Sequence, residues 1–95
     1  MKHGELRCYQ FKDEFVRGGV IIQMNSELFI VPVRCIKPRN PIMHIPLTIK
    51  DGIVKNINAC VFCEDIEKFD KSKDNNIFFS NLTSETLEKI MDVVK

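Results

Sequence analysis

Val20-Ile21-Ile22-Gln23-Met24, then Asn25-Ser26-Glu27, then Leu28-Phe29-Ile30-Val31-Pro32-Val33 is the stretch on which the fold turns. Two apolar runs rich in β-branched residues flank a short polar segment, the pattern of two strands joined by a hairpin turn. The unbroken apolar character of the second run predicts burial on both faces. Pro32 has no N–H to give a ladder, so it marks a sheet edge or a bulge.

On the N-terminal side, Glu5 to Phe11 reads as a further strand. Lys12-Asp13-Glu14, with Gly18-Gly19 behind it, reads as the loop returning to the hairpin. On the C-terminal side, Arg34 to Pro41 holds two prolines, two arginines and a lysine without periodicity, and predicts a basic, semi-rigid loop. Ile42 to Leu47 is the next strand, Asp51-Gly52 a turn, and Ile57 to Cys63 the last long apolar strand. Glu64 to Asp70 fits either a strand or a helical turn. Asp74-Asn75-Asn76 reads as a loop and Ile77-Phe78-Phe79 as a short apolar run. Leu87, Ile90, Met91 and Val94 fall at i, i+3, i+4 and i+7, the stripe of an amphipathic helix. Thr83 stands where its N-cap belongs, with Leu82 and Leu87 spaced as a hydrophobic staple. These elements predict one mainly β, α+β domain over residues 1–95, a small antiparallel barrel or sandwich closed by a C-terminal helix.

With 95 residues and 44% hydrophobic content, the chain supports one modest core. A formal charge of +1, from 14 basic and 13 acidic residues, creates no global field toward nucleic acid or membrane, so any nucleic-acid role rests on a local patch. Met1-Lys2-His3-Gly4-Glu5 carries no apolar targeting core, and no apolar run approaches the ~18 residues that span a bilayer. A cytoplasmic protein without membrane association is expected. In that setting Cys8, Cys35, Cys60 and Cys63 are expected as reduced thiols. Cys60-Val61-Phe62-Cys63 is a CxxC spacing, but on a strand residues three apart face opposite sides, and no second CxxC completes a zinc set. No metal and no cofactor is expected.

Several segments, in order, resemble the MazF/PemK family of toxin endoribonucleases of type II toxin-antitoxin systems. They are Lys2-His3-Gly4-Glu5-Leu6, then Arg17-Gly18-Gly19-Val20-Ile21-Ile22-Gln23-Met24-Asn25, then Ile30-Val31-Pro32-Val33-Arg34-Cys35. Asp65-Ile66-Glu67-Lys68-Phe69-Asp70-Lys71-Ser72-Lys73 and Asn81-Leu82-Thr83-Ser84-Glu85 follow. The resemblance spans nearly the whole chain. It implies an SH3-like barrel, usually a homodimer, that cuts single-stranded RNA without metal and is silenced by a cognate antitoxin peptide. It also implies a catalytic Arg and Thr. Arg17 falls on the family Arg, and a planar, always-charged guanidinium suits a bidentate grip on phosphate. The family Thr is replaced by Arg34 or Cys35, depending on register, and the loop between the first two strands is several residues shorter than usual. A thiol polarises phosphate only weakly, and an arginine supplies charge without a hydroxyl relay.

The candidate catalytic residues are therefore Arg17 and Cys35, and the candidate RNA-binding residues are Arg34, Lys37, Arg39 and His44. Each has a plainer reading: Arg17 as a solvated loop arginine, the 34 to 39 cluster as soluble surface, His44 as a strand-face residue. Phe62, Phe69, Phe78 and Phe79 are expected in the core, because their neighbours are aliphatic and the chain needs core volume. Two functions stay open beside an unrelated β-barrel adaptor: a MazF-like endoribonuclease, and a MazF-like protein that binds RNA or a partner without cutting.

Overall fold

The structure is a computed structural model and describes residues 2–95. Asn25 and Ser26 both adopt positive φ (51° and 67°), and Met24 pairs with Glu27 across them. This is a two-residue turn whose twist matches its strands. It joins β2 (Gly18–Met24) to β3 (Glu27–Arg34) in an antiparallel ladder running from Met24↔Glu27 to Gly18↔Val33. β1 (Glu5–Tyr9) adds to β2, and β7 (Asp74–Asn81) adds to β1. β4 (His44–Pro46) and β5 (Cys60–Phe62) complete the order β4-β5-β3-β2-β1-β7.

The undecided Glu64 to Asp70 segment is both things in turn. A 3₁₀ turn over Cys63–Asp65 leads into the two-residue β6 (Glu67–Lys68), which pairs with β3 at Phe29 and Ile30. β5 pairs with the same strand at Val33 and Arg34. Pro32 lies between these two patches, where β3 needs no donor on that side, although it sits inside the sheet rather than at its edge.

Period-2 alternation builds two cores. Leu6, Val20 and Val31 are in register on one face, continue into Ile45 and Val61, and pack against the helix α1 (Ser84–Val94) through the fully buried Ile90. Ile21 and Ile30 point the other way, onto Tyr9, Phe11 and Val16. Tyr9 and Phe11 meet edge to face at 4.8 Å, and the Tyr9 hydroxyl accepts from the Asp70 amide at 3.0 Å. Gly19 is required here by space: a Cβ would lie 2.7 Å from Ile30 Cγ1 and 2.8 Å from Phe11 Cζ.

The fold is mainly antiparallel β with one C-terminal helix, but the sheet does not close into a barrel. β4 is three residues long and ends in Pro46, and among the described residues no ladder joins it to β7 at the other end of the strand order. A polar latch spans the gap instead. After Thr48, a 3₁₀ turn over Ile49–Asp51 buries the Asp51 carboxylate, which accepts from Thr48 N (2.9 Å), Thr83 N (2.8 Å) and Thr86 Oγ1 (2.8 Å). The Thr48 and Thr83 hydroxyls add bonds of 3.0 and 3.1 Å, and Ser80 Oγ of β7 donates to the Asp51 carbonyl at 2.6 Å. Thr83 caps α1 as expected, its Oγ1 accepting from Thr86 N.

No helix among the described residues is long and apolar enough to cross a membrane.

Candidate nucleic-acid interface

The loop between β1 and β2 is short, and its shape is set by Asp13. Asp13 Oδ1 accepts from Phe15 N (3.0 Å), its carbonyl accepts from Val16 N (3.0 Å), and Oδ2 accepts from Arg34 Nη1 at 2.7 Å. The Arg34 guanidinium, helped by the Phe15 amide, holds the Asp13 carboxyl below its ordinary pKa. The loop is tied at its far end by Tyr9 N donating to the Arg17 carbonyl at 3.0 Å. It therefore projects Phe15, 87% exposed, and the Arg17 side chain from a fixed backbone.

Arg17 stands on the ridge between two hollows. One, of about 390 Å³, lies at the unclosed end of the sheet and is mostly apolar: Phe15, Val33, Val54, Ile57 and Phe79 line it, with Arg17 and Cys35. The other, of about 550 Å³, is polar, and Gln10, Lys12, Glu14 and Asn75 line it with Arg17. Among the described residues the Arg17 side chain has no ion-pair partner.

The structure thus brings Arg17 and Cys35 to one hollow, because Gly18 at the start of β2 pairs with Val33 near the end of β3, so Arg17 before the one strand and Cys35 after the other lie at the same end of the ladder. Cys35, not Arg34, lines this hollow. Arg34 turns the other way, onto Asp13 and over the Phe62 ring at 5.3 Å, and acts as an anchor for the loop. Lys37 and Arg39 are exposed on the 35–43 loop and line neither Arg17 hollow.

His44, expected to contact RNA, is buried and fully engaged. Its Nδ1 accepts from the Arg39 and Asn40 amides at 3.0 and 3.1 Å, which places the ring proton on Nε2, 2.9 Å from Glu64 Oε2. The ring also stacks on Phe62 at 3.8 Å. It pins the basic loop to β5 and offers a ligand nothing.

The aromatic residues divide against expectation. Phe62 is buried and Phe69 packs on the second core, but Phe78 and Phe79 are 48% and 54% exposed. β7 is an edge strand with little covering either face, so Ile77 beside them is 51% exposed as well, and a bulge, with Leu6 and Arg7 of β1 facing Ser80 and Phe78, leaves Phe79 as an extra residue. Phe15 was not singled out from the sequence. Its position two residues after the acceptor Asp13 is the only signal, and that signal describes a turn rather than a site.

Cys60 and Cys63 are buried thiols, and burial pushes both pKa values up, that of Cys63 to about 11. Such thiols are poor nucleophiles near neutrality. Among the described residues no three His, Cys, Asp or Glu side chains gather as a metal site.

Neither a scan against protein-family models nor a search of curated proteins finds a match for this chain.

Proposed function

We propose that this chain is a MazF-like toxin that acts on single-stranded RNA, gripping a backbone phosphate with Arg17 and receiving a base in the apolar hollow beside it. The observation that carries the reading is the meeting of Arg17 and Cys35, 18 positions apart in sequence, in one hollow walled by the exposed rings of Phe15 and Phe79. A free guanidinium next to aromatic faces is a combination suited to unpaired nucleotides, since every base has a face to stack and every linkage a phosphate to hold. Metal-independent cleavage then needs the 2′-hydroxyl deprotonated and the phosphate charge stabilised, and Arg17 supplies the second requirement.

A second reading is favoured by a specific observation: Cys35 offers only a weak donor where the family resemblance implies a hydroxyl, and His44 is committed elsewhere. Under it the chain binds RNA or an acidic, hydrophobic antitoxin-type peptide in the same hollow without cutting. Pairing with a second copy belongs to both readings. β7 forms one edge of the sheet, carries no charge from Asn75 to Asn81 and exposes Ile77, Phe78 and Phe79, whereas the other edge is blunted by Pro46.

The test is incubation of the purified protein with long single-stranded RNA in chelator, beside Arg17→Ala, with the new ends identified chemically. Cuts ending in 2′,3′-cyclic or 3′-phosphate, absent in Arg17→Ala, support the nuclease. RNA that is bound but left intact supports the second reading. RNA neither bound nor cut by a folded protein rules out RNA as the ligand.

A further inference from the structure

We infer that Glu14 is the general base of the cleavage reaction, taking the proton that the missing hydroxyl site cannot handle; this rests on the nuclease reading of the Arg17 ridge. The sequence places four charged residues in or beside the β1–β2 loop, Lys12, Asp13, Glu14 and Arg17, and the fold gives them different tasks. Asp13 is used up by Arg34 and by the loop's own amides. Glu14 is exposed, has no ion-pair partner among the described residues, and lines the same polar hollow as Arg17 and Lys12. Of the two loop carboxylates it is the one left free. Glu14, Lys12 and Arg17 border one hollow of about 550 Å³, and no ion pair among the described residues joins any two of them.

The chemistry balances with these residues alone. The Glu14 carboxylate takes the proton of the 2′-hydroxyl, and the 2′-oxygen forms its bond to phosphorus as the bond from phosphorus to the 5′-oxygen breaks. The departing 5′-oxygen takes a proton from the Lys12 ammonium, while Arg17 carries the added phosphate charge. The products are a 2′,3′-cyclic phosphate and a 5′-hydroxyl. Glu14 and Lys12 then return to their starting states by proton exchange with water. Carboxylates serve as bases when held within hydrogen-bond reach of the reacting hydroxyl, and such contacts tighten when substrate arrives. The Asp13 anchor supplies the fixed backbone this requires.

The experiment compares wild type, Glu14→Gln and Glu14→Asp on one single-stranded RNA in chelator. Single-turnover rates are measured across pH, and binding is measured separately by fluorescence anisotropy. The hollow also holds Cys8, Tyr9, Lys12 and Arg17, so the profile is read as the difference between variants. Glu14→Gln is expected to cut at least about 100-fold more slowly, bind within about twofold of wild type and lose the acidic limb of the rate profile. Glu14→Asp is expected to retain that limb. Cutting by Glu14→Gln at the wild-type rate, or a fall in binding that matches the fall in rate, overturns the role of Glu14 and leaves the nuclease reading standing. Failure of the wild type to cut overturns both.

Discussion

At the scale of single residues, Asp51 shows how one buried charge is kept. Burial alone raises a carboxyl pKa, yet hydrogen bonds from Thr83, Thr48 and Thr86 outweigh it and hold Asp51 below its ordinary value. Such a group stabilises the fold fully above its unfolded pKa of about 3.9, and that contribution is lost as pH falls through the lower folded value. Asp51→Asn leaves one acceptor oxygen for donors that converge on two, and puts an amide N–H against them. It is expected to cost about 3 kcal/mol at pH 7, measured by urea unfolding, and the gap from wild type is expected to narrow in strong acid, where Asp51 itself is protonated. The residue is legible in sequence only as half of an Asp-Gly turn. Its partners Thr83 and Thr86 lie 32 and 35 positions away, and no local pattern announces them.

At the scale of elements, the hairpin of β2 and β3 and the capped helix α1 are local solutions, and the sequence reads them nearly to the residue. The short strands β4 and β5 and the ends of β7 are not local. The first two are trimmed by where a partner strand stops, so the apolar runs at 42–47 and 57–63 each yield only three paired residues, whereas pairing with β1 lengthens β7 to Asp74–Asn81, taking in the 74–76 segment expected as a loop. The link between β4 and β7 depends on the close approach of Gly52 to Ser80. Gly52 has φ +98°, and a Cβ there would sit 2.5 Å from the Ser80 Cβ. Gly52→Ala is expected to destabilise by about 2 kcal/mol or more, from strain and displacement of the latch together. Thermal unfolding followed by circular dichroism checks it, with Gly4 as no substitute control because it too has a positive φ.

At the scale of the whole molecule, a net charge of +1 supplies no long-range pull, so the proposed grip on RNA is expected to rest on few, short-range phosphate contacts. The dependence of log affinity on log salt is expected to be shallow, and Arg17→Ala is expected to flatten it by about 0.7, the value for one phosphate contact on a single strand. Titrations at several salt concentrations measure this; an unchanged slope removes Arg17 from the phosphate. The uncharged edge at β7 predicts a dimer in sedimentation velocity, and Phe78→Lys, which places like charges near one another across a self-pairing edge, is expected to shift it to monomer without unfolding.

The sequence by itself determined the class of fold, the hairpin at its centre and the capped helix, because apolar periodicity and turn chemistry act over a few neighbouring residues. Only the tertiary structure decided that Cys35 rather than Arg34 shares a hollow with Arg17, that His44 is a buried peg, that Phe78 and Phe79 lie exposed on an edge strand, and that Asp51 rather than a strand ladder bridges the open side of the sheet. Each of these depends on contacts between segments separated by many residues, which periodicity and turn chemistry over a few neighbours do not encode.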